Sequence, residues 1–309
     1  MSKKRLVIRQ SSPWGVLLVV LFAAAFLAGI ALLAFSKNVK TYNIVNGGIT
    51  FSSKEGFIFY QASDSKQLEK ELRLYGLSNR SYTNTVKPYL LKSFPKDFKY
   101  LPANLRKKMF ISAMLPIALT VREQLQQEHK IVMQIKAKVE SGIKLNEQDK
   151  IFLKAVMKKY KTNNLAELVK RANSVPVSLL IAQAGIESGW GKSRFTSLYN
   201  NIYGIHRKHR KPWQPIVMSF DNLYDATVMY MMNLNTSAAY KKFRQERYLM
   251  GKNQNPYKLS EYLTMYSTKR QRYIKLVQHI LASNGLAKYD NYGIQQILVS
   301  NYSPDDNVQ

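Results

Sequence analysis

The sequence predicts a mainly α domain with one small β-hairpin, preceded by an N-terminal transmembrane helix. Three observations carry this expectation. Residues 14–35, WGVLLVVLFAAAFLAGIALLAF, hold no charge, and about 20 such residues span a bilayer core as a helix. From residue 103 onward, apolar side chains recur at the three- and four-residue spacing of a helix face. That pattern lapses after Gly191, where RFTSLYNNIYGIHRKHRKPWQPIVMSFDN has few helical signals and WQPIVMSF alternates weakly, as a hairpin strand does.

Taken in order, residues 1–13 contain Lys3, Lys4, Arg5 and Arg9. This cluster stays cytoplasmic by the positive-inside rule and sends everything after Phe35 to the other side. A cleaved signal peptide has an apolar region of about 7–15 residues. The run at 14–35 is longer and LLAFS is a poor cleavage site, so a retained anchor is the expectation. Residues 36–102 read as a juxtamembrane region: a strand-like YNIVNGGITF, a short helix KQLEKELRLYG ended by Gly76, and a proline-punctuated loop or docking segment KPYLLKSFPKDFKYLP.

Residues 103–290 form the main domain. A long helical stretch starts at Ala103 and stops at Gly142, with Pro116 placed to kink or split it. Asn146 caps the next helix, NEQDKIFLKAVMKKYK, and NLAELVKRAN makes a short amphipathic one. Pro176, in a first-turn position, opens VPVSLLIAQAGIES. Beyond the hairpin, LYDATVMYMMNLNTSAAYKKFRQ, YKLSEYLTMYS and KRQRYIKLVQHILAS read as helices, the last stopped by Asn284 and Gly285. Residues 291–309 are a polar tail.

Composition narrows the partners. Lys and Arg number 47 against 19 Asp and Glu, a net charge of +28. Such an excess calls for an anionic partner: nucleic acid, an anionic lipid surface or an acidic polymer. The expected topology argues against nucleic acid. Cysteine is absent, which removes disulfides and thiolate metal sites. His206 and His209 are three apart in HRKHRK, but the four cations of residues 206–211 would repel a metal ion, so no metal and no cofactor is expected. The run suits anionic groups of a wall or lipid, or is simply a solvated basic loop.

Residues 184–193, AGIESGWGKS, place Glu187 at the end of an almost uncharged helix, against a glycine-tryptophan break. A carboxyl there is partly buried, and burial raises its pKa unless it is paired. Such an acid can hold a proton near neutral pH and deliver it to a leaving-group oxygen. Trp190 is expected to wall the carboxyl. Tyr199, Tyr203, Tyr224, Tyr230, Tyr266 and Tyr273 offer aromatic faces with hydroxyls, which suit a sugar cleft. The plainer readings are a helix-end Glu in an ordinary bundle and tyrosines packed in a core.

LLIAQAGIESGWGKSRF followed by NNIYGI resembles the glucosaminidase domain of peptidoglycan hydrolases, glycoside hydrolase family 73, in its Bax-like branch. SFDNLYDATVMYMMNL and MYSTKRQRYIKLVQHIL resemble the family's later segments, so the likeness covers about residues 165–285. The resemblance implies a lysozyme-like helical fold that hydrolyses the β-1,4 bond after N-acetylglucosamine in peptidoglycan. It places the catalytic glutamate on Glu187 and substrate contacts on Ser188, Trp190, Asn201 and Tyr203, with Gly204 beside them. Tyr224 and Tyr273 are further substrate-binding candidates, and the tyrosine near the cleft in relatives falls on Tyr266 in preference to Tyr273. It further implies a bacterial inner-membrane protein with its catalytic domain periplasmic or otherwise extracytoplasmic, acting on glycan strands.

One departure matters. Several relatives carry a second carboxylate on the hairpin, yet no Asp or Glu stands between Ser188 and Phe220. Asp221 and Asp225 come next, at what reads as a helix start. The second catalytic group is therefore open among Asp221, a water oriented by a tyrosine such as Tyr266, and the substrate's own acetamido group. Two other functions stay open: a lytic transglycosylase, although its usual G-L-M-Q-type stretch is replaced by NNIYGI, and a non-catalytic wall-binding protein on the same fold.

Overall fold

The computed structural model describes residues 44–46, 49–54, 57–75, 84–207 and 216–295. The expected anchor at 14–35, the basic tail before it, His209 with most of the 206–211 run, and the last 14 residues lie outside the described residues. Among the described residues no helix is long and apolar enough to cross a membrane.

Strands β1 (Ile44–Asn46), β2 (Ile49–Lys54) and β3 (Phe57–Gln61) form an antiparallel meander. Helix α1 (Ser65–Tyr75) follows. Strand β4 (Thr85–Val86) leads into β5 (Tyr89–Leu91), which lies parallel to β3. The segment that reads as a proline-rich loop is thus partly a sheet strand. Its apolar side chains explain why: Leu90, Leu91, Phe94 and Phe98 are all buried. Phe94 stacks on Phe98 with ring centroids 4.3 Å apart and on Phe110 at 5.4 Å. Phe110 belongs to the main domain, so one continuous core crosses the boundary expected at residue 102.

Helix α2 (Ala103–Glu140) runs unbroken through Pro116. A proline removes one backbone hydrogen bond and crowds the preceding turn. Here residues 113–121 are all buried, and that packing holds the helix together. The Thr120 hydroxyl donates to the Pro116 carbonyl at 2.8 Å. Helix α3 (Glu147–Lys159) opens on a reciprocal capping box of Asn146 and Asp149, and α4 (Leu165–Arg171) on Asn164.

Helix α5 (Val177–Ser188) is the centre of the molecule, with every residue from Val177 to Gly185 buried. Its first turn has no cap from its own sequence. Asp290 supplies one from 112 residues away, accepting from the Ser178 N–H at 2.8 Å and hydroxyl at 2.7 Å. Helix α6 (Arg194–Tyr199) sits where no helix is expected, nucleated by Ser193, which accepts from the Thr196 N–H. The expected hairpin is present as β6 (His206–Arg207) and β7 (Ile216–Val217).

Helices α7 (Leu223–Thr236) and α8 (Lys241–Met250) are joined by a 3-10 turn at Ala238–Tyr240. The stretch expected as a helix at YKLSEYLTMYS holds only α9 (Pro256–Ser260) before turns take over. Helix α10 (Gln271–Ser283) ends at Asn284, as its sequence indicates. A 3-10 turn (Leu286–Asn291) carries Asp290 to α5, and β8 (Gly293–Ile294) pairs parallel with β4. The start of the tail is therefore part of the fold.

Two arginines of α8 sit in the interior. Arg247 donates to the Asn235 side-chain oxygen at 2.8 Å and to the Lys170 carbonyl at 2.7 Å. Arg244 donates to the carbonyls of Leu234 and Ser237. Bonded in this way, the charged side chains tie α8 to α4 and α7.

Candidate active site

Helix α5 stops at Ser188, and three residues in a row then take positive φ: Gly189 at 58°, Trp190 at 59° and Gly191 at 81°. The turn is locked from inside. The Ser188 hydroxyl donates to the Ala184 carbonyl at 2.6 Å and accepts from the Gly191 N–H at 2.9 Å. Ser188 is fully buried, so this side chain, expected to meet substrate, instead shapes the helix end. A Cβ on Gly191 would come within 2.8 Å of the Phe98 ring. Glycine is needed there for both its φ and its contact.

Trp190 folds back along α5. A Cβ on Gly185 would lie 2.7 Å from the Trp190 ring, which also meets Phe110 edge-on at 5.7 Å. Gly185 and Glu187 are two residues apart, roughly 200° around the helix. The indole therefore packs on the side of α5 away from the carboxyl and does not wall it.

Tyrosines and the backbone after α6 wall it instead. A Cβ on Gly204 would be 3.7 Å from Glu187 Oε2. Tyr273 directs its hydroxyl at the carboxyl, and Lys269 is the cation that bears on it. Tyr240 and Tyr266 also feel its charge. Burial raises the Glu187 pKa above the ordinary carboxylate range, while Tyr273 and Lys269 pull part of that rise back. Burial also pushes the hydroxyls of Tyr203, Tyr230, Tyr266 and Tyr273 up, so these phenols stay protonated. The arrangement holds one half-buried acid whose pKa burial raises, with the Tyr273 hydroxyl directed at it.

The tyrosines form one aromatic file. Tyr203 stacks on Tyr230 at 4.1 Å, Tyr230 meets Tyr266 at 5.9 Å, and Tyr266 stacks on Tyr273 at 5.2 Å. The Tyr266 hydroxyl donates to the Tyr203 carbonyl at 3.0 Å. Of the two tyrosines weighed as neighbours of the acid, Tyr273 is thus the one aimed at Glu187, and Tyr266 ties down the chain before Gly204.

Other candidates lie apart from the acid. Asn201 is buried, donating to the carbonyls of Ile205 and Met218 and accepting from the Ile205 N–H, so it holds the base of the hairpin. Tyr203 is buried with its ring in the aromatic file. Tyr224 faces the N-terminal sheet, 4.9 Å from the Phe57 ring, and donates to Gln124. Asp221 is exposed just before Asn222, the residue that caps α7. Among the described residues no carboxylate is seen to act on Glu187.

Sequence reasoning passed over Gln183, Tyr240 and Lys269. Gln183 had a visible signal: it is the one polar side chain between Ser178 and Glu187, set one helical turn before the acid. Lys269 and Tyr240 reach the site through turns whose course no local pattern gives.

Comparison with known proteins gives three similarities. Residues 163–298 match the glucosaminidase family, described as mannosyl-glycoprotein endo-beta-N-acetylglucosaminidase. Protein bax of Escherichia coli (strain K12) is 27% identical over 168 residues, covering 50% of this chain and 60% of that protein. Among solved structures, the catalytic domain of the autolysin Auto from Listeria monocytogenes aligns with 51% of this chain and 96% of its own, at 15% identity and a TM-score of 0.31. Residues 163–298 are thus similar to the glucosaminidase family, and the chain is similar to Protein bax, of which it spans 60%.

Proposed function

We propose that this protein is a peptidoglycan hydrolase that cleaves the β-1,4 bond after N-acetylglucosamine, with Glu187 as the general acid. The observation that carries this reading is the Glu187 carboxyl at the end of α5, raised in pKa by burial and, among the described residues, without a second carboxylate acting on it, within the stretch that matches the glucosaminidase family. Protonated Glu187 gives its proton to the glycosidic oxygen as the bond to the departing sugar breaks. Tyr273 and Lys269 then stabilise the carboxylate left behind. The lack of any Asp or Glu between Ser188 and Phe220, and of a second carboxylate acting on Glu187 among the described residues, supports attack on C1 by the substrate's own 2-acetamido group, which forms an oxazolinium that water opens. The uncharged run at 14–35 and the lysine-arginine cluster before it support an inner-membrane anchor with the domain outside the cytoplasm. The net charge of +28 supports contact with an anionic wall, to which the 206–211 run contributes.

A lytic transglycosylase also works with one acid, so the same lone carboxyl favours it as the second reading. Mass spectrometry of purified peptidoglycan after digestion separates the two. New reducing-end N-acetylglucosamine is the expected product. Anhydro-muramic ends would move the protein to the transglycosylases. Binding without new ends would make it a wall-binding module.

A further inference from the structure

Gln183 is fully buried on α5 and sits four residues before Glu187, on the same helix face. Its side-chain oxygen accepts from the Tyr230 hydroxyl, and its Nε2 donates to the Tyr273 hydroxyl oxygen at 3.0 Å. We propose that Gln183 is a positioning residue whose amide commits the Tyr273 proton to the Glu187 carboxyl.

Donors and acceptors around the Gln183 amide leave one arrangement. Tyr230 is fully buried and stacked on Tyr203. A buried phenol O–H needs an acceptor. Among the described residues, the acceptor it meets is the Gln183 oxygen. That fixes the amide, because a glutamine whose oxygen faces Tyr230 must turn its NH2 toward Tyr273. The Tyr273 oxygen is then already accepting, so its own hydrogen points elsewhere, and Glu187 is the group on that side. The Tyr273 ring has little freedom to do otherwise, being stacked on Tyr266 with an interplanar angle of 19°. Only the hydroxyl rotor remains to be chosen, and Gln183 chooses it.

The consequence is a tuned acid. Glu187 is faced by Tyr273 of α10, by Lys269 before α10, by Tyr266 after α9, by Tyr240 after α7 and by the Gly204 backbone. A hydroxyl donated to the carboxylate favours ionisation and offsets part of what burial does. Losing it leaves the acid protonated to higher pH. The catalytic meaning of this inference rests on the general-acid reading of Glu187; the titration itself does not.

The test uses the full chain with 13C-labelled glutamate. The Glu187 carboxyl resonance is assigned as the one missing from Glu187→Gln and is titrated in wild type, Gln183→Met, Tyr273→Phe and the double variant. The pH profile of kcat/KM on peptidoglycan is recorded beside it. Gln183→Met is expected to raise the titration midpoint by about one pH unit and to move the alkaline limb of the profile with it. The double variant should then match Tyr273→Phe alone, because Gln183 acts on Glu187 only through the Tyr273 hydroxyl. Tyr230→Phe, which frees the amide to turn, should shift the midpoint the same way and serves if Gln183→Met does not fold. An unchanged midpoint, or effects that add in the double variant, would overturn the inference and leave Gln183 as packing. A lowered midpoint would also overturn it, since a reversed amide takes the Tyr273 proton for itself. A raised midpoint in a protein that cleaves no glycan supports the inference and removes the general-acid reading instead.

Discussion

Glu187 is a carboxyl whose surroundings favour its neutral form, so its titration is coupled to folding. Burial raises its folded-state pKa, and the folded chain therefore holds more protons than the unfolded one between the two values. Stability from this group is complete below about 4.3, the ordinary glutamate value, and is lost as pH rises through the folded-state pKa. Glu187→Gln removes that ionisation. Its melting temperature should exceed the wild type's at pH 7, and the gap should close as pH falls below about 4. Calorimetry across that range checks this, and a gap that ignores pH would contradict it. The partial burial of this residue was legible in the sequence, because it ends an almost uncharged helix beside a glycine break. The side chains around it were not. Trp190 lies three residues after Glu187 in sequence, yet the positive φ of residues 189–191 sends its ring to the far side of α5.

At the scale of elements, helix periods and caps carried most of the reading. Asn146 and Asn284 mark helix ends that the structure reproduces. Local pattern failed where tertiary packing decides. Burial of residues 113–121 keeps α2 whole through Pro116, and β5 is a strand because β3 lies alongside it. The start of α5 is the clearest case, since its cap comes from Asp290 rather than from a neighbour in sequence. Asp290→Ala leaves the Ser178 N–H without its acceptor inside the protein. The expected cost is about 1–3 kcal/mol, read as a lower midpoint in urea at unchanged slope. A midpoint equal to wild type would show that water satisfies the helix end.

Considered as a whole molecule, the glucosaminidase match begins at residue 163, but the fold that presents Glu187 begins earlier. Phe98 and Phe110 press on Gly191 from outside the matched region, and the N-terminal sheet packs on α7 through Phe57 and Tyr224. The sequence drew its boundary at residue 102 because prolines and lysines punctuate that stretch, whereas its buried aromatics join the main core. A chain beginning at residue 103 should therefore lose cooperative thermal unfolding, while one beginning at residue 36 keeps it. A sharp, two-state melt from the shorter chain would contradict this.

The central claim is that Glu187 delivers a proton to the glycosidic oxygen of peptidoglycan. The most direct measurement is the rate of new reducing ends from purified peptidoglycan at the optimum pH, for wild type and Glu187→Gln, with the melting of both recorded. The account predicts that the glutamine variant is folded, melts no lower than wild type, and cleaves about 10²–10⁴-fold more slowly. A folded Glu187→Gln protein that cleaves at the wild-type rate would contradict it.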